Sequence, residues 1–241
     1  MRRVPHPGRG FTQGLLCGPD DWVLESTGLY GQSQLRRYRL GAGSHEASAT
    51  LSADFFGEGI CQAGDVIWQL TWRERTALRW DAATLELRDL VSYDREGWGM
   101  CATGADVVTS DGTSELVRRD PHTLAPREVV RVRCAGEPVR GLNDLAWSAG
   151  RVWANVLPTT TVVGIDLATG EVTDLIDARA AAERRLTDPQ AVMNGIAALP
   201  GSGDFLVTGK GWRWVRQVRL VPARGRTDPG WLLEGAGRFF C

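Results

Sequence analysis

Five short segments of the chain carry side chains suited to acid–base chemistry or to binding a small polar molecule. They are FTQGL around Gln13, FGEGI around Glu58, EGWGM around Trp98, GLNDL around Asn143 and MNGIA around Asn194. A carboxylate can transfer protons, amide N–H groups can stabilise a developing negative charge, and an aromatic ring can form the wall of a pocket. The alternative is purely structural, with the same polar groups hydrogen-bonded to one another in the interior.

The spacing of these segments indicates a repeated unit. Successive motif residues are 45, 40, 45 and 51 residues apart, and a strand–turn–strand pattern such as ESTGLYGQSQLRRYRL follows most of them. Units of about 40–50 residues with about four short strands each are typical of propeller blades. We therefore predict an all-β, five-bladed β-propeller as a single domain over 1–241, with blades starting near 11, 56, 96, 141 and 193. A β-sandwich with a second small domain accounts less well for the even repeat.

One segment interrupts the β pattern. The residues near 177–192, DARAAAERRLTDPQAV, include several good helix formers, and Pro189 would end the helical run. They fall in the longest spacing between motifs. We therefore predict a short helical insertion between blades four and five.

A propeller would bring the motif residues together, because equivalent positions of successive blades face one another around the central channel. The five residues should then form a ring at one end of this channel. Candidate aromatic walls for the resulting pocket are Phe11, Phe56, Trp72 and Trp98. Alternatively, Trp72 and Trp98 only fill the core.

The composition excludes several classes of protein. The chain has 241 residues, 43% of them hydrophobic, with a net charge of -1 and a pI of about 6.3, which excludes a disordered chain and argues against a nucleic-acid binder. A membrane helix needs about 20 continuous apolar residues, and no apolar run in the chain approaches that length. The N-terminus also lacks a signal-peptide pattern. We therefore expect a cytoplasmic protein. Lys210 is the only lysine among the 28 basic residues.

The cysteines and histidines do not suggest a reactive or metal-binding cluster. The five cysteines, with no CxxC spacing, are Cys17, Cys61, Cys101, Cys134 and Cys241. We expect them to be free thiols. The three histidines lie in predicted loops or turns. This placement argues against Cys–His catalysis and against a histidine-rich metal site.

A series of phrases resembles the plant- and bacterial-type glutaminyl cyclases, the glutamine cyclotransferase family. In chain order, from about residue 6 to 220, the phrases include HPGRGFTQGL, ESTGLYGQSQLRRY, FFGEGI, WQLTW, EGWGM, LNDLAW, MNGIA and TGKGW. The resemblance implies a five-bladed propeller that converts the N-terminal glutamine of a peptide to pyroglutamate and releases ammonia. This acyltransferase reaction would proceed without a catalytic zinc ion.

The resemblance also implies a set of site residues. It places Glu58 at the position of the proton-shuttling carboxylate, and it matches Lys210 to the lysine of the TGK-x-W phrase. We predict the catalytic residues Glu58, Lys210, Asn143 and Gln13, and the substrate-binding residues Phe11, Phe56, Trp72, Trp98 and Asn194. Two positions differ from the family pattern, with Leu157 in place of a tryptophan and Arg213 in place of a proline. The first difference bears on the substrate rather than on the fold.

Other readings of the same residues stay open. The protein could be a non-catalytic propeller that binds a peptide terminus or small metabolite, or a ring-closing enzyme of a biosynthetic pathway. Glu58 could also pair with Lys210 only as a structural salt bridge.

For the cyclase we expect a monomer that is metal-independent and needs no cofactor. It would act on a peptide or small molecule with an N-terminal glutamine, with neither nucleic acid nor membrane as partner. A calcium ion in the channel is compatible with a small propeller but has no sequence signature here.

Overall fold

Five four-stranded antiparallel sheets follow one another along the chain in a computed structural model that describes residues 2–183 and 188–219. The first sheet contains Thr12–Cys17, Trp22–Thr27, Gln34–Arg39 and Ala47–Thr50. The second contains Gly57–Ala63, Val66–Thr71, Thr76–Asp81 and Leu87–Ser92. The third contains Met100–Ala102, Val107–Ser110, Glu115–Arg119 and Pro126–Arg131.

The last two sheets are also four-stranded and antiparallel. The fourth contains Leu142–Ser148, Arg151–Val156, Thr161–Ile165 and Val172–Asp177. The fifth contains Met193–Ala198, Phe205–Gly209 and Trp214–Val218, and the N-terminal strand Arg2–Pro5 completes it. A two-stranded hairpin, Arg133–Cys134 with Glu137–Pro138, and the short 3-10 turns Pro7–Arg9 and Pro19–Asp21 complete the described elements.

The first strand of each sheet lies at the centre of the molecule. Each of these inner strands contacts the inner strands of the two neighbouring sheets, so that the five form a closed ring. This arrangement confirms the predicted five-bladed propeller, and we number the blades in the order of their sheets. The inner strands all begin at one end of the central channel and end at the other.

The N-terminal strand closes the ring of blades. Arg2–Pro5 pairs antiparallel with Trp214–Val218, and the backbone N–H of His6 donates to the carbonyl of Arg213. The first strand of the chain is therefore the outer strand of the last blade. The repeat in the sequence begins only after this strand and does not predict the pairing.

Apolar side chains fill the five spaces between neighbouring blades. Each space holds its own cluster of buried residues, for example Trp68, Leu70 and Met100 between blades 2 and 3. Burial in these clusters removes apolar surface from water and fixes how each blade packs on the next.

Cysteines contribute to this packing as small apolar side chains. The prediction of free thiols is confirmed for Cys17, Cys61, Cys101 and Cys134. Burial, with a smaller contribution from the charge of Asp21, raises the pKa of Cys17 to about 11. Cys241 lies outside the described residues.

The predicted helical insertion is not present in the described part of 177–192. Residue 177 ends a strand of blade 4, residues 178–183 and 188–192 contain isolated turns, such as the Ala181 N–H to Ala178 carbonyl bond, and residues 184–187 lie outside the described range. Ala178 and Ala181 are buried in the cluster between blades 4 and 5. Packing of these alanines therefore overrides the helix propensity of the segment. Elsewhere in the described chain, no helix is long and apolar enough to span a membrane.

Candidate active site

The motif residues lie on irregularities at the start of the inner strands. In blades 1, 2, 4 and 5 the register shifts just after the strand begins, and the extra residues include Gln13, Glu58, Asn143 and Asn194. A β-bulge leaves a residue unpaired and can re-aim its side chain. The repeated sequence motif is therefore a repeated bulge at one end of the channel.

Glycines in the motifs allow the inner strands to meet backbone to backbone. A Cβ on Gly59 would lie 2.6 Å from the carbonyl oxygen of Trp98, and the N–H of Gly59 donates to the same oxygen. Blade 4 has Asp144 at the matching position. Its fully buried carboxylate accepts the backbone N–H groups of Leu15 at 3.2 Å and Ile196 at 2.7 Å, which joins blade 4 to blades 1 and 5.

A cavity of about 320 Å³ opens at this end of the channel. Eight of the predicted site residues line it: Phe11, Gln13, Phe56, Glu58, Trp72, Trp98, Asn143 and Lys210. Four further residues complete the wall: Leu29, Leu157, Gln190 and Val192. Asn194 is the one predicted site residue that does not line the cavity.

A second cavity, of about 600 Å³, lies at the opposite end, where the inner strands finish. Apolar groups such as Leu15 and Met100, together with three buried cysteines, form much of its wall. Its lining contains no charged side chain. Because proton transfer and charge stabilisation require ionisable groups, we assign the candidate site to the smaller cavity.

Three side chains form a hydrogen-bonded chain at the base of the candidate site. Gln13 donates from Nε2 to Glu58 Oε1 at 2.8 Å, and Asn194 donates from Nδ2 to Gln13 Oε1 at 2.8 Å. Asn194 is completely buried and lies behind Gln13 as seen from the cavity. The other carboxyl oxygen, Glu58 Oε2, is buried and has no hydrogen-bond partner in the described part of the chain.

The surroundings of Glu58 favour its protonated form. Burial raises the pKa of Glu58 well above its usual range, the charge of Lys210 opposes this, and Asp144, Glu74 and Glu96 raise it further. Burial lowers the pKa of Lys210, and Glu58 opposes that shift. A carboxyl group that keeps its proton towards neutral pH can act as a general acid after acting as a base.

The structural alternative for Glu58 was a salt bridge with Lys210. Within residues 2–183 and 188–219, Glu58 forms no ion pair of 4.0 Å or less, and its hydrogen bond is with Gln13. Lys210 instead has its Nζ 5.0 Å from the centre of the Phe11 ring. Both side chains therefore line the cavity and are not in direct contact with each other.

The turn that carries Lys210 is held firmly. The backbone N–H of Lys210 donates to the carbonyl of Val192, and the N–H of Gly211 donates to the carbonyl of Gly10. The ring of Trp212, 1% exposed, donates from Nε1 to the carbonyl of Ala191 at 3.0 Å. The TGKGW phrase is thus a turn anchored between blades 5 and 1.

Aromatic rings make up one wall of the cavity. Phe56 contacts Phe11 edge to face with ring centres 6.2 Å apart, and it contacts Trp72 with ring centres 5.5 Å apart. Tyr30 packs on the outer side of Phe56, with ring centres 5.4 Å apart. Trp72 and Trp98 are only partly buried, so they are wall residues rather than core fillers.

Charged side chains of both signs lie beside the aromatic wall, and the sequence motifs did not predict them. Tyr30 donates its hydroxyl to Glu74 at 2.7 Å, and the Trp98 indole N–H lies 3.4 Å from a Glu96 oxygen. The Arg73 guanidinium stacks over Trp72 at 3.8 Å from its ring centre. Arg73, Glu74 and Glu96 lie within two residues of Trp72 or Trp98, and that adjacency is their only signal in the sequence.

The sequence motifs did not predict the remaining wall residues of the cavity, although Leu157 was recognised as a departure from the family pattern. Leu157, 8% exposed, lines the cavity at the position where a tryptophan was expected. Leu29, Gln190 and Val192 come from loops and carry no motif of their own. In the described chain, no group of three or more His, Cys, Asp or Glu residues could hold a metal ion.

Comparison with known proteins gives consistent matches. A family model described as glutamine cyclotransferase matches residues 1–220. A glutaminyl-peptide cyclotransferase from Arabidopsis thaliana is 33% identical over 231 residues, covering 94% of this chain and 72% of the relative. The crystal structure of a glutaminyl cyclase from Myxococcus xanthus superposes with a TM-score of 0.85 at 35% identity, covering 92% of this chain and 96% of that one.

Proposed function

The chain belongs to the glutamine cyclotransferase family, and on this premise we propose that its aromatic cavity cyclises the N-terminal glutamine of peptides. The enzyme is a glutaminyl-peptide cyclotransferase: it forms pyroglutamate and releases ammonia. The observation that carries the assignment to this cavity is Glu58, a buried carboxyl with one oxygen held by Gln13 and the other without a partner among the described residues.

The reaction joins two atoms of one residue. The α-amine nitrogen attacks the side-chain amide carbon, the carbonyl oxygen takes up negative charge, and the bond from this carbon to the amide nitrogen then breaks. Because nucleophile and electrophile are tethered, holding the side chain folded back on the amine can supply part of the about 7–11 kcal/mol seen in well-oriented intramolecular reactions. The ring pair Phe56 and Trp72 supports this role, since it offers a flat apolar surface to the two methylene groups.

One proton must move from the attacking nitrogen to the leaving one. In our proposal Glu58 accepts this proton on attack and returns it to the departing ammonia. An ordinary glutamate would be a poor acid for the second step. The raised pKa of Glu58, caused mainly by burial, supports its use in both directions.

The negative charge on the carbonyl oxygen needs a positive or hydrogen-bonding partner. We assign this role to Lys210, with Gln13 and Asn143 as neutral N–H donors that line the same cavity. A single well-placed donor contributes about 10²–10³ in rate. These residues can supply every group that the chemistry requires, so we propose a reaction that is metal-independent.

The direct test is an ammonia assay on peptides that begin with glutamine, supported by mass spectrometry of the cyclised product. The same peptides with an acetylated α-amine are the matched control, because they lack the nucleophile. We expect ammonia only from the free peptide, and strongly reduced release from Glu58→Gln. Binding of the free peptide without ammonia release would instead support the non-catalytic alternative.

The assembly and location are further expectations. We propose that the enzyme acts as a monomer, because all the residues assigned to the site come from one chain. Light scattering during gel filtration would contradict this if activity followed only a larger species. We also keep the expectation of a cytoplasmic enzyme, to be tested by fractionation of cells that express it.

A further inference from the structure

We propose that Asn194 is a positioning residue which, through Gln13, fixes the oxygen of Glu58 on which the catalytic proton travels. The inference rests on the proposed function and deepens it, because it assigns separate tasks to the two oxygens of one carboxyl group. Asn194 does not line the cavity, so it acts on the reaction only through its neighbour.

The first step is the orientation of Asn194. Its Nδ2 lies 3.2 Å from the backbone carbonyl oxygen of Thr12. A backbone carbonyl can only accept a hydrogen bond, so the nitrogen and not the oxygen of the Asn194 amide must face it. Since Asn194 is completely buried, water cannot replace this partner, and the amide is held in one orientation.

The second step transfers this orientation to Gln13. The same Asn194 nitrogen has a second N–H, and it donates to Gln13 Oε1 at 2.8 Å. With its oxygen facing Asn194, the Gln13 amide must present its nitrogen to Glu58. The observed bond from Gln13 Nε2 to Glu58 Oε1, 2.8 Å, has this direction.

The third step concerns which oxygen of the Glu58 carboxyl group carries the proton. Glu58 Oε1 accepts an N–H from Gln13, and a carboxyl oxygen that carries a proton is a weaker acceptor than one that does not. The mobile proton is therefore favoured on Oε2, the buried oxygen without a described partner. Without the relay, the Gln13 amide could turn over, offer its oxygen to Glu58, and trap the proton on Oε1.

Ionisable groups around Glu58 act differently from this relay. Lys210 comes from blade 5, Asp144 from blade 4, Glu74 from the turn after a blade 2 strand, and Glu96 from the segment before blade 3. All four change the proton affinity of the whole carboxyl group. The amide relay is neutral and directional, and it distinguishes Oε1 from Oε2.

The test is the pH profile of kcat/KM for ammonia release by Asn194→Leu, which keeps the branched shape of the side chain and removes both N–H groups. Without Asn194, the Gln13 amide no longer reliably donates its N–H to the ionised Glu58 carboxylate. The decline of kcat/KM at low pH, its acid limb, should therefore move upward by about one pH unit, with kcat lowered about tenfold and KM nearly unchanged. Asn194→Ala, which is also uncharged and lacks both N–H groups, should move the limb in the same direction. It serves if the leucine variant does not fold.

Two further variants separate a relay from a general effect on the fold. Asn155→Leu is the matched control, because Asn155 is also a buried asparagine but its amide has no hydrogen-bond partner among the described residues. Its pH profile should equal that of the wild type. In a Gln13→Met background, Asn194→Leu should cause no additional shift, since the relay is already broken.

The outcomes are distinct from a failure of the proposed function. If the wild type releases no ammonia, the function itself is wrong. If the wild type is active but the acid limb is unmoved in both Asn194 variants, the relay is wrong. It is equally overturned if Asn155→Leu gives the same shift, or if the shift persists in the Gln13→Met background.

Discussion

Gly28 lies against the aromatic wall of the cavity without lining it, and its replacement by alanine tests how far catalysis depends on that wall. A Cβ at this position would lie 2.5 Å from Cζ of Phe56 and 3.1 Å from Cγ of Gln13. Since carbon atoms pack best at about 3.5–4.0 Å, the Phe56 ring must move by about 1 Å. Gln13 would also have to shift slightly.

The expected result follows from these distances. Overpacking of this kind destabilises by about 1–3 kcal/mol. Displacing reacting groups by about 1 Å can cost on the order of 10²-fold in rate. We therefore expect Gly28→Ala to remain folded, with a modestly lower Tm and with kcat/KM for a Gln-initiated peptide reduced about 10–100-fold.

The matched control is Gly31→Ala in the same turn. Gly31 has a φ of 72°, and a Cβ added there would meet no atom within 4 Å, so alanine carries a backbone cost of about 1–2 kcal/mol but touches nothing. Thermal unfolding and the ammonia assay should show both variants destabilised, and only Gly28→Ala impaired in activity. Wild-type kcat/KM in Gly28→Ala, or an equal loss in Gly31→Ala, would refute the reasoning.

The remaining predictions concern the charged groups and metals. Burial raises the pKa of Glu58, so the decline of kcat/KM at low pH (the acid limb) should have its midpoint at a pH well above the usual pKa range of a glutamate. Glu58→Gln should lack this acid limb and should lose about 10²–10⁴ in rate. The same variant should unfold at higher temperature than the wild type in alkaline buffer but not in acid, because the folded state is penalised only where Glu58 ionises; an equal Tm at both pH values would contradict this. Lys210→Met should lower kcat about 10²–10³ and move the acid limb upward, since Lys210 opposes the raised pKa of Glu58. Lys210→Arg should recover only part of the rate, because a planar guanidinium fits a small oxyanion less well than an ammonium, and full recovery would show that only the charge matters. Dialysis against a chelator should leave activity unchanged, whereas a loss that zinc restores would overturn a metal-independent reaction.

Much of the candidate site could be predicted from the sequence, because it is built from a repeated local feature. Each bulge needs only a few neighbouring residues, and each appears as a short motif such as FGEGI or LNDL. The aromatic and ionisable residues that line the cavity lie inside these motifs or inside WQLTW and TGKGW. Eight predicted residues accordingly meet in one cavity.

Other features could not be predicted, because they depend on contacts between distant segments. Asn194 occupies the same motif position as Glu58, yet it lies behind Gln13 and does not line the candidate site. Leu29 and Gln190 reach the wall from loops whose path follows no periodic pattern. The alanines near 180 favour a helix locally but are packed between two blades.

The sequence by itself determined the number of blades, the all-β class and the chemical identity of the site, since spacing and residue type are properties of the chain alone. Only the tertiary structure decided which residues share a surface and which are buried. The proton affinity of Glu58 arises from burial and from charges on other segments, and the direction of its hydrogen bond arises from Thr12 through Asn194 and Gln13. These quantities depend on distances and on exclusion of water, and they exist only once the first and last strands have closed the ring.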